Sequence, residues 1–141
     1  MSDRVFVDTN ILIYAHDVDA GQKHIIARGR IRDLWASREG VVSLQVLQEL
    51  YVNVTRKIPK PLSRKVARGL VGSYAAWTVQ RVDASDVVHA SEIEERHKLS
   101  FWDALIVVAA HKATAGTLLS EDLNHGQRIE GVRGENPFRG A

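Results

Sequence analysis

Short apolar segments recur along this chain, each followed by one or more longer segments of helical period. This alternation restricts the fold more than any other feature. Residues 4–7, 41–43, 78–82 and 117–120 are short and rich in Val, Leu and Thr, and read as strands. Between them, apolar positions fall at helical spacing. Ile25, Ile26, Ile31, Leu34 and Trp35 lie near one face of residues 22–37, and Leu44, Leu47, Leu50, Tyr51 and Val54 mark residues 44–57. Leu62, Val66, Leu70 and Tyr74 do the same for residues 62–77. Residues 85–98 and 101–114 complete the helices, with Ser85 and Ser100 as expected N-caps, while Pro59 and Pro61 form a linker. The period changes around Asp8, which predicts a strand passing straight into a helix capped by Thr9 or Asn10. From Glu121 onward the chain is turn-rich, punctuated by Gly126, Gly131, Gly134 and Pro137, and Val132 is expected on an edge strand.

Strands alternating with helices predict an α/β fold with a mainly parallel central sheet. At 141 residues the chain has the size of a single domain. It contains no cysteine, which excludes disulfides, thiolate zinc sites, iron–sulfur clusters and a cysteine nucleophile. The longest apolar run, residues 104–110, is far short of the ~20 residues that span a bilayer. Asp3 and Asp8 interrupt the place where a secretory signal would be apolar, so a cytoplasmic location without membrane attachment is expected. The net charge of +2 does not by itself call for nucleic acid.

In a parallel α/β sheet the functional crevice lies beyond the carboxyl ends of the strands. Four acids fall there. Asp8 ends the first strand, Glu49 sits about two turns into the helix after the second, Asp103 occupies the first turn of the apolar helix, and Asp122 follows the last clear strand. Each has an ordinary explanation. Asp8 and Asp103 suit helix N-termini, Glu49 suits a solvated helix flank, and Asp122 suits a turn. Asp103 is nevertheless the only acid in the apolar stretch 101–110, a helix expected to be largely buried, where a carboxylate needs a partner or a metal. Two unit charges ~4 Å apart repel by about 4 kcal/mol at an effective dielectric near 20. A cluster of acids must therefore bind protons or a cation. All-oxygen ligation favours Mg²⁺ or Mn²⁺, ions suited to phosphate substrates.

Four segments carry a resemblance: Val5–Phe6–Val7–Asp8–Thr9–Asn10–Ile11–Leu12, Leu47–Gln48–Glu49–Leu50, Leu99–Ser100–Phe101–Trp102–Asp103–Ala104–Leu105–Ile106, and Leu118–Leu119–Ser120–Glu121–Asp122–Leu123. In this order the chain resembles the PIN domain family and, within it, the VapC-like toxin ribonucleases. The resemblance implies a three-layer α/β/α fold with a mainly parallel sheet of four to five strands, spanning residues 1–141 as one domain. It implies an endoribonuclease dependent on Mg²⁺ or Mn²⁺, with Asp8, Glu49, Asp103 and Asp122 as metal-holding and catalytic acids. Asn10 and Ser120 match polar positions beside them. A small antitoxin partner and a homodimer follow from the same likeness. The family also includes RNA-processing nucleases and inactive RNA- or protein-binding modules. This chain reads Ser120–Glu121–Asp122–Leu123–Asn124 where the commoner pattern is Asp-x-Asp-Phe, so Glu121, Asp122 and Asn124 all compete for the fourth position; we take Asp122.

Other features bear on an RNA substrate. Arg56, Lys57, Lys60, Arg64, Lys65 and Arg68 form a run without an intervening acid, a candidate phosphate-binding rim or else a solvated helix face. Phe101 and Trp102 are candidates for base stacking, with core packing expected for at least one, and Trp35 and Trp77 read as core or dimer-interface residues. The six histidines lack metal-ligand spacing; His125, close to Asp122, is the one of functional interest. A haloacid-dehalogenase-like phosphatase would need a second Asp where Asn10 stands. A response-regulator receiver would need paired acids at the first strand and a lysine after the last. Neither pattern is present.

Overall fold

A computed structural model describes residues 3–140. Strand β1 (Val5–Val7) passes directly into helix α1 (Thr9–His16). The N-cap is Asp8, not Thr9 or Asn10: its carboxylate accepts the Thr9 N–H at 2.7 Å. An anion at the positive end of a helix is a stronger acceptor than the neutral side chains that follow it. Helix α2 (Gln22–Ser37), strand β2 (Gly40–Ser43) and helix α3 (Leu44–Arg56) come next, the last capped by Ser43 Oγ on the Val46 N–H. Helix α4 (Arg64–Tyr74) is shorter than its apolar spacing predicts, because Ser63 caps it and the Leu62 N–H is already bonded to the Val54 carbonyl. After β3 (Thr78–Gln80), helix α5 (Ala84–His97) starts at Asp83, which forms a reciprocal capping box with Asp86; Ser85, the expected cap, donates its hydroxyl to Asp83 instead. Helix α6 (Phe101–Lys112) begins at Ser100 as predicted, and strands β4 (Thr117–Leu119), β5 (Arg128–Ile129) and β6 (Val132–Glu135) complete the chain.

The strands form one sheet in the order β3-β2-β1-β4-β6-β5. Every pairing is parallel except β5 with β6. The sheet therefore has six strands, where four to five were expected. The extra one comes from the glycine-rich tail, which closes a hairpin through Glu130 and Gly131, both at positive φ. Val132 consequently lies on an inner strand, and β5 takes the edge. All four β2 residues are buried, so both faces of the sheet are covered. The helices pack in two groups, α1 with α2 and α3, α3 with α4, and separately α5 with α6. This is the α/β layering that the strand–helix alternation predicts.

Packing is dense where β2 begins. The Trp77 ring lies against Gly40 so closely that a Cβ there would sit 2.6 Å from Cε3. Trp77 also meets Trp35 and Tyr74 edge-on, with centroids 5.3 and 5.0 Å apart, and the buried Tyr74 hydroxyl bonds to His16 Nε2 at 2.7 Å. This cluster joins α1, α2 and α4, and accounts for two of the three tryptophans. Burial pushes His16 below its ordinary value, with a smaller push from His24. No described helix is long and apolar enough to cross a membrane.

Candidate active site

Strand β1 pairs with β2 on one side and β4 on the other, so the chain reverses its direction of progress across the sheet at β1. The segments leaving the carboxyl ends of β1 and β4 diverge there and open a crevice. Asp8 leaves β1 and Asp122 leaves β4, while α6 delivers Asp103 from its first turn. Asp8, Asp103 and Asp122 each place a carboxylate oxygen so that all three lie within 4.8 Å of one another. Asp8 thus meets two acids that lie more than ninety positions further along the chain. Among the described residues this is the only such group of potential ligands.

A short network holds the acids in place. Asp8 is 7% exposed; one carboxylate oxygen accepts the Thr9 N–H, and the other accepts the Ser120 hydroxyl at 2.7 Å. Ser120 Oγ in turn accepts the Asp122 N–H at 3.1 Å, so one hydroxyl links both acids. Asn10 Nδ2 donates to Asp122 Oδ2 at 2.9 Å. Its Oδ1 is buried without a protein partner. Glu49 lines the same cleft but stands outside the close triad: its Oε1 accepts the Thr9 hydroxyl at 2.8 Å and Gln45 Nε2 at 3.5 Å.

Asp103 is half-buried, not enclosed as the apolar character of its helix predicts. Burial in α6 begins at Ala104, one residue later. The ordinary capping explanation covers only half of its geometry. Ser100 accepts the Asp103 N–H, while the Asp103 carboxylate belongs to the acidic group.

The three possibilities for the fourth acid separate cleanly. Asp122 enters the cluster. Glu121 points the other way, accepting Lys23 Nζ at 2.8 Å and the Tyr14 hydroxyl, and so ties the β4 loop to α1 and α2. Burial raises Glu121, but Lys23 and Tyr14 together outweigh it and leave the carboxyl below its usual range. Asn124 does not line the cleft, and His125 Nδ1 accepts the Asn136 N–H at 3.2 Å, a tail-fastening role.

Electrostatics bear on what the cluster needs. Burial pushes Asp8 up to about 7, resisted by the Ser120 and Thr9 hydrogen bonds and reinforced by Asp122 and Asp103. Asp122 is also raised, by burial first and then by Asp103 and Glu121. The cluster is thus short of positive charge at neutral pH. A hard divalent cation fits it: the donors are all oxygens, they already converge, and the orphaned Asn10 Oδ1 offers a further polar atom.

Residue types alone did not single out Thr9, Gln45 or Asn53 as parts of this site. Gln45 and Asn53 lie one turn to either side of Glu49, and that spacing is the signal that places them on its face. Ile13, Ile106 and Trp102 also line the cleft. All six residues of the basic run are exposed, in the α3–α4 region, and none lines the acidic cleft itself. Arg56 lies on the same α3 face as Gln45, Glu49 and Asn53, and Lys60 pairs with Asp19 at 3.7 Å.

The PIN domain family profile matches residues 5–128. Among solved structures, a toxin–antitoxin complex from Klebsiella pneumoniae aligns with a TM-score of 0.68 at 18% identity, covering 95% of this chain and 98% of that one. DNA-bound VapBC from Salmonella typhimurium aligns with a TM-score of 0.67 at 19% identity, covering 97% and 99%. A Mycobacterium tuberculosis VapC toxin described as cleaving the sarcin–ricin loop aligns with a TM-score of 0.60 at 22% identity, covering 81% and 86%. At these identities the likeness is one of fold. No curated protein matches the chain.

Proposed function

The chain belongs to the PIN domain family, and from that premise we propose that it is a divalent-metal-dependent endoribonuclease, the toxin of a toxin–antitoxin pair. The observation that carries the proposal is the convergence of Asp8, Asp103 and Asp122 within 4.8 Å at the switch point of the sheet. We take residues 1–141 as one domain, acting in the cytoplasm. The toxin reading draws on the structural neighbours, which are a VapC toxin, a VapBC complex and a further toxin–antitoxin complex, and it brings a small antitoxin and a homodimer as proposed partners.

Asp8, Asp103 and Asp122 would hold Mg²⁺ or Mn²⁺, with Glu49 as the adjoining acid. When bound, such an ion supplies the positive charge that neutralises a scissile phosphate and makes water a better nucleophile at neutral pH. The chain's own residues do the rest. Ser120 fixes Asp8 and the Asp122 loop relative to each other. Thr9 aims Glu49 into the cleft, where its carboxylate can accept a proton from water. Asn10 restrains Asp122 with its amide N–H and presents Oδ1 as an acceptor. We assign Arg56, Lys57, Lys60, Arg64, Lys65 and Arg68 to the substrate's phosphates outside the cleft, where exposed cations act on affinity more than on chemistry.

The test is incubation of the purified chain with total cellular RNA in Mn²⁺, beside an EDTA control and Asp103→Asn. Discrete fragments that vanish in both controls are expected. Intact RNA in the presence of folded, metal-loaded protein would instead favour a PIN module that binds without cutting.

A further inference from the structure

Trp102 is 62% exposed at the start of a helix that buries every residue from Ala104 to Ala110. Among the described Phe, Tyr and Trp residues only one other is exposed, Trp35, and it is packed against Tyr74 and Trp77. Trp102 meets Phe101 edge to face, with centroids 5.3 Å apart and planes at 76°. An edge-on contact steadies an indole without covering both of its faces. Trp102 is next in sequence to Asp103 and is one of the residues lining the same cleft as Asp8, Asp103 and Asp122.

We propose that Trp102 is a stacking platform for an RNA base next to the scissile phosphate, a substrate-positioning role that rests on the ribonuclease reading above. The surroundings decide what kind of ligand the ring receives. Trp102 shares its cleft with three aspartates, one glutamate and the amides of Asn10, Gln45 and Asn53; Ile13 and Ile106 are the only other apolar side chains lining it. The buried centre of a protein–protein interface is depleted of charge, whereas this cleft is lined by four acids, which favours a different kind of ligand. A flat, uncharged base with polar edges matches one indole face set among amides and carboxylates, and its phosphate would lie beside the acids that would hold a cation. Stacking on an aromatic side chain tolerates any base, so Trp102 contributes affinity and registration more than sequence choice.

The experiment compares Trp102→Tyr, which keeps a flat aromatic face, with Trp102→Leu, which keeps apolar bulk without one. Binding of a short random-sequence single-stranded RNA is followed by anisotropy, and cleavage by its KM and kcat. Trp102→Leu is expected to raise KM and weaken binding about tenfold or more with kcat changed far less, and Trp102→Tyr to restore most of the loss. Quenching of the indole fluorescence by this RNA is expected in the wild type, absent in Trp102→Phe, and absent with an abasic strand of equal length. Wild type that binds and cuts RNA alongside a Trp102→Leu variant that does so equally well would overturn the stacking role and leave the nuclease reading standing. Silence of the wild type towards RNA would remove both. A change in oligomeric state by light scattering in Trp102→Leu, with RNA affinity unchanged, would overturn the stacking role and make Trp102 a contact between copies of the chain.

Discussion

Replacing Asp8 with Asn should make the metal-free protein more stable, although Asp8 makes two good hydrogen bonds. The carboxyl is nearly enclosed, and burial together with Asp122 and Asp103 moves it from its ordinary value of 3.8 to about 7. In the unfolded chain the proton is lost near 3.8; in the native protein it is kept until about 7. Between those limits the folded state binds more protons, so stability falls as pH rises through the window and levels off above it. At about 1.4 kcal/mol per pH unit, the penalty at pH 8 reaches about 4 kcal/mol. An amide at this position can still accept the Thr9 N–H and donate to Ser120 Oγ; the charge assistance of both bonds is already contained in the value of about 7, so nothing further is subtracted. Asp8→Asn should therefore gain up to about 4 kcal/mol at pH 8 in EDTA and almost nothing at pH 4. For a chain of this size the gain corresponds to a Tm increase of up to roughly 12 °C. Mn²⁺ at a hundredfold excess over its dissociation constant should stabilise the wild type by about 2.7 kcal/mol and the variant far less, closing most of the gap. Differential scanning fluorimetry across pH, with and without Mn²⁺, gives all four arms. A variant less stable than wild type at every pH, or a difference that ignores pH, would refute the argument and leave Asp8 as a helix cap.

Other perturbations follow from the same geometry. Thr9→Val removes the hydroxyl that orients Glu49 while keeping its volume; RNA cleavage should drop ten- to a hundredfold with the Mn²⁺-induced Tm increase largely kept. Glu121→Gln should leave that Mn²⁺ response intact while lowering stability by about 1 kcal/mol, and Asp122→Asn should do the opposite, as melting curves of the two would show. Gly40→Ala should destabilise by about 1–3 kcal/mol in denaturant titration, because the buried Trp77 ring blocks the added methyl group. Exchanging Arg64, Lys65 and Arg68 for Ala should flatten the salt dependence of RNA binding by roughly 0.7 in log–log slope for each phosphate that is no longer neutralised.

The fold and most of the site were readable from local signals. Period changes located β1, β2 and α3 to within a residue or two, and Ser100 marked the start of α6. Errors arose where two residues compete for one job. Asp8 and Asp83 cap their helices because a carboxylate outbids the neighbouring hydroxyls and amide for the first free N–H groups. The tail hairpin was hidden because its turn places Glu130 at φ 53, a conformation its residue type disfavours. That turn is fastened from outside: the Glu130 side chain faces His89 and Arg96, and its carbonyl bonds to His111. The acids were individually ambiguous. Their convergence depends on the strand order, which no single segment encodes. The bond from Thr9 to Glu49 had no local signature at all, since it spans two helices.

The position of β1 at the centre of the sheet has a consequence for synthesis. Of the strands in this sheet β1 is synthesised first, and its partners begin at Gly40 and at Thr117, so one side of β1 stays unpaired until β4 has been made. A product of premature termination before β4 would lack Asp122 and Ser120, and so could not assemble the acidic cluster. It would instead present Val5–Val7 as a bare apolar edge, a template for aggregation. Incomplete chains are thereby inert as site-bearing proteins and conspicuous to quality control.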